Sequence, residues 1–346
     1  MQNLPDSLRF WRPRYADVVG LDLGSSAVKA VRLRRINGKI TLVAAGFLPA
    51  LSLPSAKSDA TMPALAPFKL PKALRGRYVA LAVPGGAATI KLLTMPARMD
   101  KSAELPIREM MAIGDDAVYR IAYELLPMVH GHGETRVLAV ALPSVEAQSL
   151  PALFPVGVPA ICSLEISGLA ALTAYQRGPG LNAGAEAEAV LDFGSTSSLL
   201  AVFAHGGLVL VRRFDFGASA VTQRVRETLG VDLETAEGIL MDGSFDVSKP
   251  VAASLENFTR QALISRDFIE HRENCHIGRV YVCGGIAASR DWRAELHRAL
   301  GVEIAVWNPL ACLPALPGAI HGDIAGHESR FAAAMGAALG VMRASP

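Results

Sequence analysis

One pattern of apolar and polar positions occurs twice in this chain. Residues 18–46, VVGLDLGSSAVKAVRLRRINGKITLVAAG, and residues 188–216, EAVLDFGSTSSLLAVFAHGGLVLVRRFDF, follow the same plan. Each reads as an apolar strand ending in Asp-x-Gly, a Ser/Thr-rich turn, a second strand, a tight turn and a third strand. Asp22 and Asp192 head the Ser/Thr turns. Asn37-Gly38 and Gly206-Gly207 are placed to supply the positive φ that a tight hairpin needs. Two matching hairpin units, each opening on an acid and a glycine, predict two like domains that face each other across a cleft.

The remaining pattern alternates strands and helices. The first unit ends near Pro49, and residues 49–71, rich in proline, serine and alanine, read as a loose connection. Residues 77–95 read as two strands around a Pro-Gly-Gly turn, 101–126 as mostly helical, and 134–142 as a strand, together a small α/β insert. Residues 144–175 mix helical and strand signals, and a Gly-rich loop at 178–184 leads to the second unit. Beyond it come helical runs at 218–229, 232–241 and 250–272, a strand at 279–283, a Gly284-Gly285 turn, a helix at 290–300, a strand at 302–306 and a last helix at 329–343. Strand-rich units followed by helices, given twice, make an α/β two-domain architecture.

Composition narrows the function classes. The 346 residues are long enough for two cores, and 51% are apolar. Lys and Arg number 34 against 32 Asp and Glu, so no global charge pulls the chain toward nucleic acid. Arg9, Arg12 and Arg14 around Phe10 and Trp11 form a basic N-terminal stretch that reads as poorly ordered. No signal peptide is evident, and the charge-free stretch 147–164 is broken by Pro151, Pro155 and Pro159, so it is no membrane span. Cys162, Cys275, Cys283 and Cys312 form no metal-type spacing and read as buried reduced thiols of a cytoplasmic protein. His130 and His132 read as solvent-exposed, Trp11, Trp292 and Trp307 as packing residues, and Met110-Met111 as filling a gap.

The chemistry lies in the turns. Gly24 lets backbone approach a phosphate, and successive N–H groups of its turn can cradle anionic oxygens, with Ser25 and Ser26 adding hydroxyl donors. Asp22 has the wrong sign for phosphate alone and implies Mg²⁺, held directly or through water; Lys29 would then offer a point charge to a β- or γ-phosphate. One such turn is ordinary turn chemistry. The second copy, Asp192, Gly194, Ser195, Thr196 and Ser198, at the same place in a like unit, is harder to attribute to turns alone. A strand running into Gly284, Gly285 and Ile286 would let backbone pass close to a base or ribose, and alone is a weak signal.

These three elements resemble the phosphate-1, phosphate-2 and adenosine motifs of the actin/Hsp70/sugar-kinase superfamily. Within it the chain is similar to the PilM family of type IV pilus assembly, related to the division protein FtsA. The similarity rests on GLDLGSSAVKAVRL (20–33), RYVALAVPGGAATIKLLTMP (77–96), GGIAASRDWRAELHRALGVEIAVWNPLACL (284–313) and RFAAAMGAALGVMR (330–343). It implies an actin-like ATPase fold of two duplicated ribonuclease H-like domains flanking a nucleotide cleft, with an FtsA/PilM-type insert. Residues 16–76, 143–185 and 324–346 would form the first domain, 77–142 the insert, and 186–323 the second domain. It further implies ATP with Mg²⁺, hydrolysed slowly or not at all. The implied role is a cytoplasmic scaffold that docks the N-terminal cytoplasmic segment of a PilN-like bitopic inner-membrane protein near the insert.

The pattern departs from the family in places. The insert's helical stretch is short, with Leu126-Pro127 alone matching the sequence that follows it. Glu234 and Glu237 stand where the superfamily sets a Glu against the adenosine, but Leu240 replaces the lysine, and the last turn reads Gly-Gly-Ile rather than Gly-Gly-Gly. These bear on nucleotide affinity more than on the fold. Two other readings use the same superfamily. A sugar-type kinase needs an Asp base between the phosphate turns, where residues 150–175 offer Glu165 as the acid. An FtsA-like filament protein would carry an amphipathic tail, whereas this sequence stops at Pro346.

Overall fold

The computed structural model describes residues 15–51, 53, 65–96, 104–114, 118–126, 134–155, 157–178 and 187–342. The repeated pattern becomes two five-stranded sheets of the same plan. In the first, β1 (Asp17–Leu23), β2 (Val28–Ile36) and β3 (Lys39–Leu48) form an antiparallel meander. β4 (Tyr78–Val83) then lies parallel to β1, and a later strand, Ala160–Ile166, lies parallel to β4.

The tight turns follow from hairpin geometry. Ile36 pairs with Lys39, so Asn37 and Gly38 are the two central residues, at φ of 50° and 80°. In the second unit the pairing Ala204 with Gly207 puts His205 and Gly206 at the centre, at φ of 52° and 78°. The turn therefore falls one residue earlier than the expected Gly206-Gly207, and Gly207 belongs to the strand.

The insert is a separate antiparallel sheet. β5 (Thr89–Pro96) and β6 (Tyr119–Leu125) flank β7 (Glu134–Pro143). The two strands read at 77–95 exist, but they do not pair with each other: β4 stays in the first sheet and β5 starts the third. The boundary expected at 77 is thereby displaced past Val83. The mostly helical reading of 101–126 also fails. α1 covers Glu104–Met110 alone, and Tyr119, Ile121, Tyr123 and Leu125 alternate along β6 instead.

After the insert come α2 (Ser144–Gln148), β8 (Ala160–Ile166) and α3 (Ser167–Arg177). The second hairpin unit is β9 (Ala187–Phe193), β10 (Ser198–Ala204) and β11 (Gly207–Phe214). α4 (Ala218–Leu229), α5 (Leu233–Asp242), α6 (Ser248–Glu273) and α7 (Arg290–Leu300) follow, with β12 (Ile277–Cys283) and β13 (Glu303–Val306) completing the sheet β11-β10-β9-β12-β13. The core beneath these helices centres on Phe193, which meets Phe258 and Trp292 edge-on with ring centroids 5.4 and 4.9 Å away.

α8 (Ala332–Val341), preceded by a 3₁₀ turn at Glu328–Phe331, ends the described chain. Its small side chains let it lie against α3, β1, β2 and β4, and every residue from Ala332 to Leu339 is buried. The approach is closest at Gly336, where a Cβ would stand 1.6 Å from the Ala170 carbonyl oxygen. Trp292 and Trp307 are buried packing residues, as expected. Met111 is buried in the insert core while Met110 is exposed, so the pair does not act together. The four cysteines are free, and Cys283 alone of them is fully buried.

The proline-rich connection is less loose than its composition implies. Leu65 and Phe68 pack partly buried, with Leu70 buried, against the core of the first sheet. Past β13, the chain returns to the first sheet: Leu42 on β3 donates its N–H to the Pro314 carbonyl and accepts from Leu316 N–H, at 2.8 and 2.9 Å. The basic N-terminal stretch, His130, His132 and residues 179–184 of the Gly-rich loop lie outside the described residues.

Candidate functional site

Asp22 is the penultimate residue of β1, with Lys29 directly across from it on β2. Facing positions of an antiparallel pair share one side of the sheet, so the ammonium reaches the carboxylate, with Nζ 3.2 Å from Oδ2. Ser167 at the start of α3 donates its hydroxyl to Asp22 Oδ1 at 2.8 Å. The carboxylate is thus held from two sides, and it is 6% exposed.

Asp192 holds the same place in the second sheet with different neighbours. Leu199 faces it on β10, and Cys283 is its parallel neighbour on β12. No ammonium stands opposite. The Cys283 thiol donates to Asp192 Oδ1 at 3.5 Å, a weak bond. Burial pushes the Asp192 carboxyl up to about 6, and the Asp22 charge across the cleft pushes the same way, against smaller opposing effects of Cys283 and Lys29. Burial and then Asp192 also hold the Cys283 thiol well above its ordinary range.

The turn after Asp192 is built against α4. Ala218 and Ser219 N–H groups donate to the Gly194 and Ser195 carbonyls at 2.9 and 2.8 Å. Ser195 and Ser219 hydroxyls share a bond of 2.6 Å, and Ser198 donates to the Phe216 carbonyl. These bonds fix the turn against the helix that opens at Gly217.

Gly284 stands at φ 105°, and a Cβ there would lie 2.1 Å from the Phe193 carbonyl oxygen, so the turn admits only glycine without rearrangement. Its N–H donates to the Ser329 carbonyl at 3.1 Å, and the Ser329 hydroxyl donates back to the Gly284 carbonyl at 3.2 Å. The glycine turn is thereby tied to the 3₁₀ turn that leads into α8.

One cavity collects these parts. It is lined by Asp22, Gly24, Ser25, Ser26 and Lys29 from the first unit, and by Asp192, Gly194, Ser195, Thr196, Ser198, Glu237, Gly284, Gly285 and Ile286 from the second. Leu240 and Met241 join Glu237 from α5, one helix face whose N-terminus is capped by Asp232 accepting from Thr235 N–H at 2.8 Å. Glu234 is not among the lining residues; it is exposed, one turn nearer the start of α5.

Among the lining residues that carried no sequence signal are Ser167, Arg213, His327 and Arg330. Ser167 follows an apolar strand as many helix starts do. Arg213 reaches across to the insert, donating to the Ala88 and Gly86 carbonyls at 3.1 Å each. Arg330 sits with its guanidinium 4.7 Å from the Phe47 ring centroid, and burial holds its pKa below the ordinary guanidinium value.

A family model described as type IV pilus assembly protein PilM matches residues 169–342. Among solved structures the chain is similar to a PilM-PilN type IV pilus biogenesis complex, at 20% identity and TM-score 0.75, covering 96% of this chain and 100% of that one. More distant is the ethanolamine utilization protein EutJ from Carboxydothermus hydrogenoformans, at 15% identity, TM-score 0.46, and 98% and 91% coverage. MreB 5 of Spiroplasma citri bound to AMPPNP gives 12% identity, TM-score 0.44, and 94% and 95% coverage. No curated protein sequence matches. The matched region runs from α3 to α8, just over half of the chain, and with the actin-like fold around it this protein belongs to the PilM family of type IV pilus assembly proteins.

Proposed function

We propose that this chain is a nucleotide-binding scaffold of the type IV pilus machinery, holding ATP with Mg²⁺ between its two Asp-bearing turns. The observation that carries this reading is that both turns and the Gly284-Gly285 turn line one cavity although they are distant in sequence. The donor set suits a hard divalent cation: Asp22 is a buried and Asp192 a partly buried carboxylate, and their charges oppose each other. Among the described residues no three His, Cys, Asp or Glu side chains form a preformed metal site. The two carboxylates would therefore share the ion with phosphate oxygens and water. Bound there, Mg²⁺ would supply positive charge to the phosphates. Lys29 would add its ammonium once a phosphate competes for it with Asp22, and the Ser25, Ser26, Ser195 and Thr196 turns would offer hydroxyl and backbone donors.

The scaffold would dock the N-terminal segment of a PilN-like bitopic inner-membrane protein on the insert and the adjoining first domain, with residues 186–323 forming most of the opposite wall. Two facts support it. The similar solved structure is a complex of PilM with PilN. β6 is an edge strand of the insert sheet, with Tyr123 and Leu125 exposed and Val118 exposed just before it. Among the described residues no helix is long and apolar enough to cross a membrane, so attachment would run through that partner.

Calorimetry with Mg-ATP on the unsubstituted chain, Asp22→Ala and Asp192→Ala, with phosphate release followed in the same samples, tests the reading. Binding lost in either variant with little turnover is the expected result; no binding by the unsubstituted chain overturns it. We further propose that nucleotide sets the affinity for the partner; anisotropy of a labelled PilN N-terminal peptide, with and without ATP, tests this, and equal affinities refute it. The kinase reading has less support: Glu165 does not line the cavity, and its carboxylate lies beneath Gly340 of α8.

A further inference from the structure

Three lysine and arginine side chains line the cavity: Lys29, Arg213 and Arg330. Two are committed. Lys29 pairs with Asp22 at 3.2 Å, and Arg213 pairs with Asp215 at 3.3 Å besides its bonds to the insert carbonyls. Arg330 makes no side-chain hydrogen bond or ion pair among the described residues, and its Nε is buried without a partner. An unmet buried N–H costs free energy, so a group held this way calls for an acceptor that the protein itself does not provide.

The position selects the acceptor. The guanidinium carbon sits over the Phe47 ring, 4.7 Å from its centroid, a contact that holds the group in place without using its N–H donors. Arg330 Nε lies 3.8 Å from where a Gly285 Cβ would stand, beside the glycine turn, with the Glu237 and Asp22 carboxylates near enough to favour its charge. Ser329, its chain neighbour, is bonded to Gly284 in both directions, so Arg330 is set in register with that turn. A phosphate chain laid between the two Asp turns would reach the glycine turn with its nucleoside end. A planar fork of N–H groups suits a phosphate oxyanion better than a ribose or a base.

We propose that Arg330 is a specificity-determining residue that binds the phosphate esterified to the nucleoside, so that the cleft takes nucleoside mono-, di- and triphosphates and discriminates against nucleosides. This rests on the nucleotide reading of the cleft. The competing account is that Arg330 serves as a packing residue over Phe47.

The two are separated by titrating the full chain with adenosine, AMP, ADP and ATP, directly and by competition against a fluorescent ADP. The chains compared are the unsubstituted protein, Arg330→Met, which keeps an apolar stem over Phe47, and Arg330→Lys, which keeps the charge without the fork; melting curves check that each is folded. Arg330→Met should weaken AMP, ADP and ATP by a similar factor, roughly tenfold to hundredfold, and leave adenosine unchanged. Arg330→Lys should recover part of the loss. Equal loss for adenosine and AMP assigns Arg330 to packing and overturns the proposal, as does loss confined to ATP. Undiminished nucleotide binding by both variants overturns it while leaving the nucleotide reading standing. Failure of the unsubstituted chain to bind any of the phosphates overturns both.

Discussion

Glu165 illustrates how one side chain can be misjudged from sequence. It is the acid within residues 150–175, which makes it the candidate base of the kinase reading. In the fold it points away from the cavity, under the C-terminal end of α8, with Oε2 buried and unpartnered. Burial pushes its carboxyl up to about 7, with Arg177 opposing and Glu124 adding to the rise. The folded state therefore keeps this proton at pH values where the unfolded chain has released it. Stability from this group is fully present below about pH 4.5 and declines as pH rises toward 7. Glu165→Gln should remove that decline. Denaturant unfolding should find the variant more stable than the parent at pH 8, by up to about 3 kcal/mol, and nearly equal near pH 4; a difference independent of pH would refute the assignment. The cleft acids were legible for the opposite reason. Asp22 and Asp192 each announce themselves within a few residues of a glycine and hydroxyls, whereas Ser167 and Arg330 reach the cavity from a strand end and a helix start that look ordinary in isolation.

Elements were readable where period and boundary agreed. The hairpin units, α6 and α7 lie close to where alternation and helical spacing put them. β6 did not, because a short helix precedes it and the turn signals between the two are weak. The alternation in YRIAYEL is that of a strand, yet it sits in a stretch whose beginning is helical. The shift of the second hairpin turn has a different cause: pairing of β10 with β11 carries a bulge between Val202 and Phe203, and His205 rather than Gly207 takes the left-handed position. Glu234 was placed on the correct helix but one turn too early to line the cavity. α8 offers the sharpest test at this scale. Gly336→Ala puts a methyl where the Ala170 carbonyl already lies, so α8 must lift from α3. Urea unfolding should show a loss of about 1–3 kcal/mol or more, where an exposed helical Gly→Ala change would instead stabilise.

At the scale of the whole molecule, the two sheets share a strand order but not a charge pattern. The wall with Asp22 carries its own counterion and the wall with Asp192 does not. A ligand with cation and phosphates would supply to the second wall what Lys29 supplies to the first. Mg-ATP at one hundred times its dissociation constant should then raise unfolding free energy by about 2.7 kcal/mol, visible as an increase in Tm. Asp22→Asn should abolish the increase, and an unchanged shift in that variant would place the ligand elsewhere. The insert is joined to this arrangement from outside its own sheet. Arg213 lines the cavity and holds the main-chain oxygens of Gly86 and Ala88 at the root of the insert, while Arg136 on β7 pairs with Glu273 at the end of α6 at 2.8 Å. Because Arg213 grips backbone rather than side chains, the tie is indifferent to what is written at positions 86 and 88. The outer face of the insert can therefore change in sequence without touching this anchorage, which rests on a residue of the opposite half.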